Sequence, residues 1–163
     1  FIEGYRSAAL FFCLIPDMKY DKVKPSKSNR SKFDLDLSIG NDGERMFLEI
    51  ITAGTVEVKS EQGRWAVSGN ICIERSSYGN PSGLQKTEAD YWVQNLMVDG
   101  EHYATIVFPT EVLRKIVEVE KPKEISGGDH NASSLWLLRL SKVFSKNTVE
   151  KVIQLCKSTS QKN

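Results

Sequence analysis

Glu57 and Lys59 stand two apart in Thr55-Val56-Glu57-Val58-Lys59, a run that reads as a β-strand, and this spacing puts a carboxylate and an ammonium on one face. Such a pair can hold a divalent cation and steer a water molecule at a phosphodiester. A second acidic pattern lies upstream, where Phe33-Asp34-Leu35-Asp36-Leu37 alternates strictly and Asp34 and Asp36 point the same way. Neighbouring strands usually pair. Side by side, these two would gather two or three oxygens around a hard cation such as magnesium, which keeps several of its waters. Bound there, the cation neutralises charge on the scissile phosphate and lowers the pKa of a water, while Lys59 orients or deprotonates the nucleophile. A Glu-x-Lys or Asp-x-Lys tripeptide also arises by composition about once per chain of this size, as Asp17-Met18-Lys19 illustrates.

The net charge of +1 says nothing about nucleic acid, but its distribution does. Lys19, Lys22, Lys24, Lys27, Arg30 and Lys32 face one acid, Asp21, in a stretch punctuated by Pro25 and serines. A phosphate backbone attracts such a loop without regard to base sequence, and a solvated connector has the same composition. Cys13, Cys72 and Cys156 lack metal-site or disulfide spacing and read as reduced, mostly buried thiols. His102 and His130 are isolated and enter no proposed site.

At 163 residues, with 40% hydrophobic and 26% charged residues, the chain has the size and composition of one soluble globular domain. No apolar run approaches the roughly 18 to 20 residues of a bilayer crossing. Apolar spacing at Ile2, Tyr5, Ala9 and Phe12 predicts a helix to about Cys13. The Phe33–Leu37 strand, the turn at Gly40–Gly43 and a strand from Met46 to Thr52 read as a hairpin. Strands follow at Thr55–Lys59, Asn70–Ser76, Tyr91–Met97 and Tyr103–Phe108. Gly63 and Trp65 fall in a connector, and Tyr78–Gly83 in an exposed loop. Thr110 caps a helix to about Val119, Gly127–Ser134 is loop, Leu135–Val143 is strand or helix, and Thr148–Lys157 is helical. Residues 1–157 make one domain and 158–163 a frayed tail. The expected class is mixed α/β, a central sheet flanked by helices.

The blocks KFDLDLS, TVEVKSEQGRWAVSGNICIE and YGNPSGLQKTEADYW resemble a family of phage and bacterial proteins in the PD-(D/E)XK, or restriction-endonuclease-like, nuclease superfamily. The resemblance covers residues 33–108 and matches at Asp34, Glu57, Lys59, Gly69, Asn70, Glu74, Pro81, Ser82, Gly83, Thr87, Ala89, Asp90, Tyr91 and Trp92. Ser68 stands where the family usually has Thr, Asn80 replaces a Lys, and Ser76 occupies the place where many members carry a second acid.

This resemblance implies a restriction-endonuclease-like core and magnesium-dependent hydrolysis of DNA, leaving a 5′-phosphate and a 3′-hydroxyl, with manganese able to substitute. By carry-over Asp34 and Glu57 are metal ligands, joined by the Val58 carbonyl and Glu74, and Lys59 is the base or water positioner. Asp36 competes with Asp34 for the ligand role, and Glu3 is the candidate acid of the first helix. DNA contacts fall to Lys24, Lys27, Arg30 and Lys32, to Arg64 with Trp65 as a stacking residue, and to Ser82, Lys86 and Thr87 as phosphate-gripping groups. Ser82, Lys86 and Thr87 can equally serve only to shape their loop. The expected setting is the cytoplasm of a bacterial or phage-infected cell, with DNA as partner and a homodimer possible. A non-catalytic DNA-binding module on the same scaffold, and a protein-interaction domain, are the alternatives.

Overall fold

A computed structural model describes residues 10–11, 43–45, 47–50, 52 and 54–160. Glu3, Cys13, the basic segment with Lys24, Lys27, Arg30 and Lys32, and the expected Asp34–Asp36 strand lie outside the described residues. Contacts group the chain into two compact units, Asp17–Thr55, and Phe1–Pro16 with Val56–Asn163.

In the smaller unit, residues 43–45, 47–50 and 52 are helical (α1), which corrects the strand and hairpin expected at Met46–Thr52. Thr52 Oγ1 donates to the Leu48 carbonyl at 2.6 Å and the Gly54 amide to Glu49 at 3.1 Å, bonds that belong to a helix end. An apolar run this short fits either element by periodicity, and local backbone bonding decides it.

The larger unit runs β1 (Leu10–Phe11), β2 (Val56–Glu61), α2 (Arg64–Ser68), β3 (Asn70–Ser77), β4 (Asn80–Pro81), β5 (Tyr91–Val98), β6 (Glu101–Pro109), α3 (Thr110–Glu120), β7 (Lys123–Gly127), β8 (Ser133–Arg139), α4 (Leu140–Val143) and α5 (Lys146–Ser160). The architecture is mixed α/β. Among the described residues the strands form two four-stranded sheets, ordered β1-β6-β5-β2 and β4-β3-β8-β7, where one central sheet was expected. Leu10 and Phe11 fall within the expected first helix yet form a strand, parallel to Ile106 and Val107. Helical spacing is local information, and pairing with a distant strand overrides it.

Other differences are local. The Gly63–Trp65 connector opens into α2, and the Tyr78–Gly83 loop is a β3–β4 hairpin followed by a 3-10 turn at Gly83–Gln85. Thr110 is the first residue of α3 rather than its cap; that place belongs to Pro109, with φ −55° and ψ 129°. Leu135–Val143 is strand to Arg139 and then helix, and α5 continues past Lys157 to Ser160. No helix among the described residues is long and apolar enough to cross a membrane.

The core joins Ile71 and Ile73 of β3, Trp92 and Leu96 of β5, Ile106 and Phe108 of β6, and one face of α3 through Val112, Leu113 and Ile116, closed by Val152 and Cys156 of α5. β5 and β6 form a hairpin turned by Asp99 and Gly100, both at positive φ (51° and 85°), as a type I′ turn requires. β2 lies parallel to β5, with Glu57 beside Trp92, Lys59 beside Gln94 and Glu61 beside Leu96. Residues in register share a face. The buried side of β5 therefore continues outward into a row of three charged groups on β2, while Val56 and Val58 face solvent, 48% and 53% exposed.

Candidate functional site

The charged row meets β3. Between Asn70 and Glu74 this strand alternates, with Ile71 and Ile73 buried in the core and Cys72 and Glu74 only partly buried. Glu61 Oε2 accepts the Cys72 amide at 2.8 Å, so a side chain links the two strands. One step along, the Lys59 ammonium lies 2.8 Å from Glu57 Oε1 and 3.6 Å from Glu74 Oε2, with all three side chains about one-third exposed or less. It also stands over the Trp92 ring, 5.8 Å from the centroid.

Each carboxylate then uses its second oxygen on a hydroxyl from the segment after β4. Ser82 Oγ donates to Glu74 Oε1 at 2.6 Å, and Thr87 Oγ1 donates to Glu57 Oε2 at 3.4 Å. Thr87 Oγ1 in turn accepts the Ala89 amide at 3.2 Å. The local sequence makes this possible. Pro81 closes the β4 pairing, the Ser82 amide returns to the Arg75 carbonyl at 3.0 Å, and Gly83 adopts φ +48°. A side chain at Gly83 would collide with the Glu74 carbonyl oxygen and come within 2.6 Å of its Cβ. Glycine is thus required for the turn to press against the acid. The ladder between β3 and β8 also shifts register between Glu74 and Ser76. Bulges of this kind re-aim side chains next to active sites.

Burial opposes the charge on Lys59, yet the hydrogen bond it donates to Glu57 and the charges of Glu57 and Glu74 outweigh it and hold its pKa above the ordinary value. The side chain is therefore an ammonium at neutral pH. Desolvation raises Glu61 above the usual carboxylate range despite its bond to Cys72. The Cys72 thiol is pushed up to about 11 by burial and by the neighbouring Glu61, which makes it a poor nucleophile. Cys156 is buried.

The structure thus brings together Glu57, Lys59, Glu74, Ser82 and Thr87 from the residues singled out in the sequence. Val58 sits between the first two with its side chain on the opposite face. Lys86 is exposed beside Thr87. Arg64 and Trp65 lie elsewhere, in α2 beyond the far end of β2. The Trp65 indole donates to the Met97 carbonyl at 2.8 Å and packs 5.4 Å from the Tyr103 ring. Ser82 and Thr87, expected either to grip phosphate or only to shape their loop, have their hydroxyls on the two carboxylates. Glu61 was missed, although its i+2 spacing from Lys59 placed it in the same row. Arg114, which donates to the Thr87 carbonyl from α3, carried no sequence signal.

Glu57 and Glu74 supply hard oxygen donors of the kind a magnesium ion accepts alongside its own waters. Among the described residues no group of three or more Asp, Glu, His or Cys side chains converges as a metal site. Asp34 and Asp36, the other expected ligands, lie outside those residues. In comparison with known proteins, the chain matches no family model, no curated protein and no solved structure.

Proposed function

We propose that this protein is a metal-dependent deoxyribonuclease of the restriction-endonuclease-like kind, hydrolysing phosphodiester bonds to leave a 5′-phosphate and a 3′-hydroxyl. The observation that carries this reading is the Lys59 ammonium held between Glu57 and Glu74 on a half-exposed strand edge. Two carboxylates and an ammonium at one accessible point can bind a hard cation and a phosphate oxygen together. Glu57 and Glu74 would hold magnesium or manganese, with Asp34 or Asp36 as the further ligand that the resemblance implies. When bound, that ion supplies Lewis acidity and a water of lowered pKa.

The chain's own residues do the rest. Ser82 and Thr87 fix the carboxylate orientations, so the donor oxygens are set before substrate arrives. Lys59, already protonated, orients the attacking water through its N–H groups and offsets charge on the phosphate; the general-base role is disfavoured by its raised pKa. The basic segment with Lys24, Lys27, Arg30 and Lys32 would supply sequence-independent attraction to DNA.

One feature favours a second reading, a non-catalytic DNA-binding module. Serine stands at position 76, where many members of the resembled family carry another acid. Incubation of supercoiled plasmid with the protein separates the two. Nicking in magnesium or manganese that stops with chelator and with Glu57→Gln supports the nuclease. Salt-sensitive DNA binding without nicking supports the module.

A further inference from the structure

The Thr87 contact leads out of the site to α3. Arg114 Nη2 donates to the Thr87 carbonyl at 2.6 Å, and Nη2 and Nε both reach the Leu84 carbonyl at 3.3 Å. Its remaining arm, Nη1, pairs with Glu111 one turn earlier on the helix. A guanidinium is a planar fork of five donors, and here it bridges the two ends of the 84–87 turn. Inside the turn, the amides of Lys86 and Thr87 both donate to the Gly83 carbonyl, at 3.1 and 2.9 Å. Leu84 is buried, and with Gln85, Arg114, Val117 and Trp136 it lines an open cleft of about 280 Å³. The helix that carries Arg114 is rigidly seated, with Val112, Leu113 and Ile116 in the core.

We infer that Arg114 is a positioning residue of the hydrolytic centre: by clamping the Leu84 and Thr87 carbonyls it sets the Thr87 hydroxyl against Glu57 Oε2. The inference rests on the nuclease reading for its catalytic half and on geometry alone for its positioning half. A lysine at this position keeps the charge but not the fork, so it can hold one carbonyl at a time.

The test compares wild-type protein with Arg114→Ala, Arg114→Lys and Thr87→Val, using Glu111→Gln as the control that removes only the outer ion pair. Two readouts are taken on folded protein: amide exchange at Ala89, whose N–H donates to Thr87 Oγ1, and kcat and KM for plasmid cleavage in magnesium. Arg114→Ala should lower Ala89 protection and kcat each by about 10-fold or more, the scale of losing a hydrogen bond to a charged group, with KM nearly unchanged. Arg114→Lys should recover part of both, and Glu111→Gln should leave both intact. Thr87→Val should reproduce the kcat loss, and combining it with Arg114→Ala should add little, because both act on one chain of contacts. If Arg114→Ala does not fold, Arg114→Lys and Thr87→Val carry the comparison. Unchanged Ala89 exchange, or loosened exchange with kcat preserved, overturns the inference. A wild-type protein that leaves DNA intact defeats the nuclease reading and the catalytic half with it, and the Ala89 amide then decides the positioning half alone.

Discussion

Ser82 Oγ donates a 2.6 Å hydrogen bond to Glu74 Oε1, tying a turn residue to an acid on β3. Glu74 has its other oxygen toward Lys59, so the hydroxyl selects which face of the carboxylate the ammonium meets. Ser82→Ala should leave the fold intact and lower cleavage by about 10- to 100-fold, matching roughly 1.5–3 kcal/mol for a hydrogen bond to a charged group. Steady-state plasmid nicking beside circular dichroism checks this. Full activity in Ser82→Ala would show that the Ser82 hydroxyl does not set Glu74 for the reaction.

Gly83→Ala tests the same contact through the backbone. Its Cβ must enter space held by the Glu74 main chain, at a φ of +48° that alanine adopts reluctantly. A stability loss of about 1–3 kcal/mol follows from the overpacking alone. Urea unfolding measures it, and a midpoint equal to wild type would contradict the close approach.

Beneath the ammonium, the buried Trp92 indole donates to Gln94 Oε1 at 3.0 Å. Trp92→Ala should cost about 3–5 kcal/mol by cavity formation. Gln94→Leu should cost about 1–3 kcal/mol by leaving the indole N–H unpaired. Denaturant unfolding of both variants reports the values, and a neutral Gln94→Leu would show that the pair is not structural.

Glu61 and Lys59 give pH dependences whose signs can be worked out. The folded pKa of Glu61 is raised, so its contribution to stability is present in acid and is lost as pH rises through that folded value. Glu61→Gln can still accept the Cys72 amide and carries no charge. Its melting temperature should therefore exceed wild type at neutral pH, with the gap closing as pH falls below the ordinary carboxylate value of 4.5. For Lys59 the folded pKa lies above 10.5, so its stabilisation should persist through neutral pH and disappear at higher pH as the ammonium titrates. Melting curves of wild type, Glu61→Gln and Lys59→Met from pH 3.5 to 11.5 read both effects. A wild type more stable than Glu61→Gln at pH 7 contradicts the first, and a Lys59→Met gap that closes near neutrality contradicts the second.

Much of the site's local order was legible because it rests on short-range chemistry. Alternation in Val56–Lys59 and Asn70–Ser76 marks strands, and Pro81-Ser82-Gly83 marks a turn. What stayed hidden depends on partners. Nothing in Val56-Glu57-Val58-Lys59 says that the valines face out and the charges in, since that follows from lying beside Trp92 and Gln94. Phe47, Leu48 and Ile50 suit strand or helix equally, and α1 was missed for that reason. Leu10 and Phe11 became a strand through Ile106 and Val107, far down the chain. Arg114 looks like any helix-surface arginine until its fork is seen across Leu84 and Thr87.

The most direct measurement is cleavage of supercoiled plasmid by wild type and by Lys59→Met in magnesium, with folding of the variant verified by its melting curve. A wild type that nicks DNA and a folded Lys59→Met slowed by about 100-fold or more, in line with loss of a charge-stabilising donor, is the expected result. Equal rates in the two proteins, or no cleavage by wild type in either magnesium or manganese, would contradict a hydrolytic centre built on Glu57, Lys59 and Glu74.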